Sequence, residues 1–247
     1  MYYYIFEPPV GPKEFERSAQ IKEYLATLGI AGEMAQPSPG RSVADLVANA
    51  LAKRYSTIIA IGSVSHTNLV LSSLAESDVV FGMIPLSAHS DPYTTIGVSD
   101  WKGAAQALKR RRWTATHLGQ LGDHYFLTRA SITLPENEVY QVRTTSYQLT
   151  GLEGVLEVAP TRTPEETDPV LLFTATPVAP TPNRLQRLFR STPPPTSPTR
   201  LTAPWFELRT TSPQAICVAG ERIGTTPCRL TVSPTLHKLI IGPGAKP

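Results

Sequence analysis

Thr57-Ile58-Ile59-Ala60-Ile61-Gly62-Ser63-Val64-Ser65-His66-Thr67-Asn68 is the stretch on which the reading of this chain turns. It opens as an unbroken apolar run and stops at a glycine followed by small polar residues. A strand that is apolar throughout, rather than alternating, is buried on both faces. Such burial belongs to a parallel sheet covered by helices. Outward from this stretch the same alternation repeats. The run 2–6 reads as a strand ended by Pro8 and Pro9, 30–35 as a short strand, and 79–84 as a second buried strand ended by Pro85. Helical patterns lie between them. Phe15, Ile21, Leu25 and Leu28 fall near one face of a helix over 13–28, with Gly29 as its C-cap. Val43, Leu46, Val47, Ala50 and Leu51 recur at helical spacing behind Ser42, a residue type suited to an N-cap. Further helices are expected over 68–74 and over 100–109, the latter capped by Ser99 or Asp100.

The second half loses this rhythm. Strand-like runs at 125–132, 138–146, 154–158 and 170–174 have no convincing helix between them. The segment 177–198 is rich in Pro, Thr and Arg, and only 184–189 could form a turn or two of helix there. Strands at 205–210, 215–218, 228–232 and 236–241 close the chain, with Gly220 and Gly224 at their turns. The expected fold class is therefore α/β + β. A Rossmann-like α/β domain with a mostly parallel sheet over 1–128 precedes a β-sandwich-like domain over 129–247, whose last residues pack back on the first.

Composition narrows the function classes. The 247 residues are 41% hydrophobic and carry 24 prolines, which suits a packed core and excludes an all-helical bundle. A net charge of +3 is no footprint of a nucleic-acid binder. Cys217 and Cys228 cannot make a disulfide framework or a four-cysteine zinc site; two buried thiols, or one pair across a hairpin, are the readings. The first residues lack the charged start of a secretory leader and no run reaches membrane-spanning length, so a cytoplasmic location is expected. His66, His89, His117 and His124 show no metal-ligand spacing, and no metal site is assigned.

Two loops follow buried strands: Gly62-Ser63-Val64-Ser65-His66-Thr67-Asn68 and Pro85-Leu86-Ser87-Ala88-His89-Ser90-Asp91. A strand, a turn of small residues and a helix can offer backbone N–H groups and a positive helix end to a phosphate, although many α/β domains keep such a turn for structural reasons alone. The order of segments around these loops resembles the catalytic domain of the bacterial diacylglycerol kinase and lipid kinase family, whose superfold NAD kinases share. The family's opening Asn-Pro-x-x-Gly-like turn is matched by Glu7-Pro8-Pro9-Val10-Gly11, with Glu7 for Asn. Its Gly-Gly-Asp-Gly-Thr nucleotide loop and Leu-Asn-Glu helix stand where this chain has Gly62 to Leu69. There Gly62 and Asn68 match, and Ser63, Val64, Ser65 and His66 do not. Its Pro-Leu-Gly-Thr-Gly-Asn-Asp loop is matched at Pro85, Leu86 and Asp91, and the Gly of its Leu-Gly-Ile at Gly97. His117-Leu118-Gly119 stands for an Asp-Leu-Gly-like strand, and Ala219-Gly220-Glu221 for an Asp-Gly-Glu turn.

This resemblance implies ATP-dependent phosphoryl transfer to a lipid hydroxyl, with ATP and Mg²⁺ as cofactors. It assigns nucleotide binding to Gly62, Ser63, Val64, Ser65, His66, Asn68, Ser87, Ala88 and Asp91, and the general base to Glu221. The replaced residues argue that this activity is weakened or lost. Glycine lets backbone approach phosphate closely, and Ser63 and Ser65 add a Cβ. Val64 exchanges a carboxylate for an apolar β-branched group. Glu221 is chemically suited to a base, yet a Glu after Gly is equally an ordinary solvated turn residue. An active kinase with a divergent loop, or a non-catalytic ligand- or partner-binding protein, are the alternatives. The implied ligand is a lipid or another hydroxyl-bearing small molecule, and a homodimer is left open. Lys109-Arg110-Arg111-Arg112 complements a helix C-terminus, or meets anionic headgroups at the inner membrane face.

Overall fold

The computed structural model describes residues 1–74, 77–86, 91–161, 169–177 and 197–245. Most of the proline-rich stretch, with the helical turns expected at 184–189, lies outside the described residues. The first half alternates as its sequence pattern requires. Strand β1 (Tyr2–Phe6) leads to helix α1 (Pro12–Thr27), β2 (Glu33–Ala35), α2 (Val43–Ala52), β3 (Thr57–Gly62), α3 (Val64–Ser73), β4 (Val80–Pro85), α4 (Asp91–Ile96) and α5 (Trp101–Arg110). Then come β5 (Trp113–Thr116), β6 (Gly119–Leu121), β7 (His124–Phe126), β8 (Ala130–Arg143), β9 (Gln148–Pro160), β10 (Leu171–Thr176), β11 (Thr199–Ala203), β12 (Trp205–Thr210), β13 (Ala215–Val218), β14 (Glu221–Thr225), β15 (Cys228–Val232) and β16 (His237–Ile240).

The described strands form two sheets. The first has the order β2-β1-β3-β4-β16-β5, parallel except for β5. Its central strand β3 is buried from end to end, and Ile58, Ile59, Ala60 and Ile61 expose nothing. Burying a side chain of isoleucine size stabilises by roughly 1.5–3 kcal/mol, so a run apolar on both faces holds the middle of the sheet. Helix α2 begins where Ser42 was expected to cap it. The Ser42 hydroxyl accepts the Asp45 N–H at 3.2 Å, and the Asp45 carboxylate accepts the Ser42 N–H at 2.8 Å. Asp100 caps α5 in the same manner, accepting the Gly103 N–H at 2.7 Å.

The second sheet is antiparallel, in the order β11-β10-β9-β8-β12-β15-β6-β7, with the β13–β14 hairpin joined to β8. It curls far enough for Phe173 on β10 to meet Phe206 on β12, with ring centroids 5.5 Å apart. Leu156, Val158, Leu171, Leu208, Ile216 and Leu230 fill the same core. The chain thus has the expected α/β + β class. Several local expectations change. The strand expected at 125–132 is split, with β7 ending at Phe126 and β8 beginning at Ala130. The strands expected near 138–146 and 154–158 belong to one long antiparallel pair, β8 with β9, bulged between Leu134 and Val139. Only the last three residues of 30–35 are a strand, and α3 starts four residues earlier than expected, at Val64.

The chain passes from the first sheet to the second between β5 and β6 and returns between β15 and β16. Cys217 and Cys228 are free, and burial pushes the Cys228 thiol up to about 12. Among the described residues no helix is long and apolar enough to cross a membrane.

The α2 cap gives a test of the local reading. Ser42→Ala is expected to lower stability by about 1 kcal/mol, measured as a reduced urea midpoint at unchanged slope.

Candidate functional site

The site lies at the carboxyl ends of β1 and β3, the edge of an open α/β sheet where ligands bind. Parallel pairing sets Phe6 beside Ile61, so the residues that follow, Glu7 and Gly62, emerge side by side. The Glu7 N–H continues the ladder to the Ile61 carbonyl at 2.8 Å. Its carboxylate folds over Gly62 onto the next residue. There it accepts the Ser63 N–H at 2.5 Å and the Ser63 hydroxyl at 2.9 Å.

Ser63 is also the N-cap of α3. Its Oγ donates to Glu7 and accepts the His66 N–H at 3.1 Å, while its carbonyl accepts the Thr67 hydroxyl at 2.9 Å. What was expected to be a loop through residue 67 is therefore one turn followed by helix. The physical reason is that serine is among the best N-caps, and no residue from Val64 to Asn68 breaks a helix. A carboxylate at a helix N-terminus also meets the positive end of its dipole. Gly62 is needed for this arrangement: a Cβ there would stand 2.6 Å from Glu7 Oε2 and 3.1 Å from His66 Cδ2.

The other assigned residues scatter around this contact. Val64, 7% exposed, packs into the core of the second sheet with residues such as Leu121 and Phe126. His66, 4% exposed, donates through Nε2 to the Ile5 carbonyl at 3.0 Å. Burial holds its pKa below the ordinary 6.5 against the opposing effects of that hydrogen bond and of Glu7, so the ring is a neutral internal donor. Ser65 and Asn68 are half-buried, and their side chains make no hydrogen bond among the described residues.

The second loop is tied to the first, since the Leu86 N–H donates to the Gly62 carbonyl at 2.7 Å. Ser87 and Ala88 lie outside the described residues, as do His89 and Ser90; Asp91 opens α4. Glu221 begins β14 after a turn in which Ala219 and Gly220 have φ of +50° and +88°. It is exposed, and its side chain makes no hydrogen bond or ion pair among the described residues. All four residues of the basic run, Lys109, Arg110, Arg111 and Arg112, are exposed. Arg111 donates to the Ser56 and Thr57 hydroxyls at 3.0 and 3.2 Å and lies over the Tyr2 ring. Among the described residues no three His, Cys, Asp or Glu side chains gather in a metal-holding group.

Sequence reasoning noted Glu7 only as a departure from an Asn-Pro-x-x-Gly-like turn and gave it no place in the site. The available signal was its position one residue beyond a strand that pairs in parallel with β3.

No family model matches the sequence, and no curated protein matches it. Solved structures do. Two from Bacillus anthracis str. Sterne that carry a provisional diacylglycerol kinase assignment are 14% and 12% identical, with TM-scores of 0.72 and 0.70. A third, described as one of the diacylglycerol kinases of the same strain, is 13% identical with a TM-score of 0.69. Each likeness covers 99% of this chain and 98% of the other. At that identity the likeness shows a shared two-domain fold over nearly the whole chain.

The Glu7 contact is testable through stability. Gly62→Ala is expected to push the carboxylate off Ser63 and cost about 1.5–3 kcal/mol, the range for a hydrogen bond to a charged group. Glu7→Gln is expected to cost less, about 1 kcal/mol, because an amide oxygen still accepts one bond. Urea denaturation of both variants checks the order.

Proposed function

We propose that this protein keeps the diacylglycerol kinase fold but does not transfer phosphate from ATP, and acts as a non-catalytic ligand- or partner-binding protein. The observation that carries the proposal is the Glu7 carboxylate on the Ser63 N–H and hydroxyl. In the lipid kinase family this chain resembles, the equivalent turn holds nucleotide. Phosphoryl transfer needs the phosphates cradled and their charge neutralised. Here the turn already holds an anion, and it belongs to the chain.

Magnitudes support exclusion. The end of a helix favours an anion by about 0.3–1 kcal/mol, and by about 2 kcal/mol in the best partly buried cases. A phosphate charge about 4 Å from a carboxylate is opposed by about 4 kcal/mol per unit charge at an effective dielectric near 20. Repulsion from Glu7 therefore exceeds what the helix end offers a second anion. Val64 adds to this, because the position where the family has a carboxylate is turned into the core of the second sheet. These residues do not fit a nucleotide phosphate, and no catalytic step is assigned to them.

The retained ligand class is a lipid or another hydroxyl-bearing small molecule. The exposed Lys109, Arg110 and Arg112 serve a peripheral contact with an anionic inner membrane face. The protein acts in the cytoplasm.

Calorimetric titration of the full chain with ATP and Mg²⁺, followed by an assay for phosphate transfer to diacylglycerol, tests the proposal. No binding heat at millimolar nucleotide and no transfer are expected. Saturable ATP binding with turnover that Glu221→Gln abolishes would overturn it and make Glu221 the general base of an active kinase.

A further inference from the structure

Each of the two crossings between the sheets carries a histidine, His117 going out and His237 coming back. The crossings are tied to each other. The Ser233 N–H donates to the Leu118 carbonyl at 2.7 Å, and His117 Nδ1 donates to the Ser233 carbonyl at 2.8 Å. The Thr235 N–H closes the return turn onto Ser233 Oγ at 3.2 Å. His237 stands opposite Thr116 in the β16–β5 register. It is 5% exposed, and its Nε2 has no hydrogen-bond partner among the described residues. A buried polar atom left without a partner is uncommon and asks for a reason.

We propose that the His117–His237 pair is an acid-operated release of the tie between the two sheets, acting whether or not a ligand is bound. A neutral His237 ring is tolerated in its buried seat. A protonated ring carries two N–H donors, of which the one on Nε2 has no acceptor, and the imidazole of His117 is close enough to oppose the charge. No carboxylate on the adjoining strands compensates. Strand β5 (Trp113–Thr116) has no titratable group, and neither has β4 (Val80–Pro85), nor the return segment 232–236. Helix α5, packed on β4, contributes only the cations Lys102, Lys109 and Arg110. The adjoining Lys238 pairs with Asp78 at 2.7 Å.

The sign follows from the direction of the shift. Burial, and then the neighbouring His117, hold the His237 pKa below the ordinary 6.5 in the closed structure. An opened crossing restores the ordinary value, so the open form takes up the proton first. Opening therefore grows as pH falls below about 6.5, by up to about tenfold per pH unit until the native pKa is reached.

Amide hydrogen exchange on the intact chain at pH 7.5 and 5.5 tests this, with rates corrected for intrinsic exchange. Protection of Ser233 and Thr235 is expected to fall about tenfold at the lower pH, while Val142 and Leu208 within the second sheet hold to within about twofold. In His237→Asn the crossing is expected to keep its protection at both values. Unchanged protection in the parent chain, or the same fall in His237→Asn, overturns the proposal. If circular dichroism shows that this variant does not fold, ring titration of the parent by NMR decides. His237 must titrate below the ordinary 6.5, in step with the loss of Ser233 protection. Titration at or above that value overturns the proposal.

Discussion

Parallel pairing brings the residue after β1 and the residue after β3 to the same edge, and there the Glu7 carboxylate seats on the Ser63 N–H and hydroxyl. Much of the site follows from this contact. It satisfies an N–H that a helix start would otherwise leave to solvent or ligand. It requires Gly62 to lack a Cβ. It also engages the Ser63 hydroxyl as a donor, leaving the oxygen to accept from His66. The turn is complete without any group from outside the chain.

Helix α3 carries the consequence to the rest of the molecule. Val70 and Leu71 belong to the core of the first sheet, while Val64 at the helix start belongs to the core of the second. His66 reaches back to β1 through the Ile5 carbonyl, and Ser72 accepts the Tyr125 N–H of β7 at 3.0 Å. One helix thereby fixes both cores and closes the anion-holding turn. Together with the hydrogen-bonded crossings at 116–119 and 232–237, it sets how the two sheets are held.

How much was legible in the sequence depended on how local the deciding physics is. The burial of β3 was legible because both faces of a central parallel strand demand apolar side chains, which leaves an unbroken run. The α2 start was legible because Ser42 and Asp45 complete a capping box within four residues of chain. The start of α3 was not. Ser63 serves equally as a loop residue or a cap, and the Glu7 contact that supports the cap comes from a residue remote in sequence. The unbroken length of β8 was not legible, because Pro135 and Asn137 interrupt the strand pattern. The sheet instead absorbs them as a bulge, with Asn137 at φ +64°.

By itself the sequence determined the alternation of strands and helices in the first half, the all-β character of the second, and the cap of α2. Each of these follows from the periodicity or hydrogen-bonding capacity of neighbouring residues. Only the tertiary structure decided that Glu7 occupies the turn after β3, that Val64 faces the second core, and that His117 and His237 lie near enough to influence each other. These are meetings of residues far apart in the chain. Strand register and the packing of two sheets create them, and no local pattern encodes them.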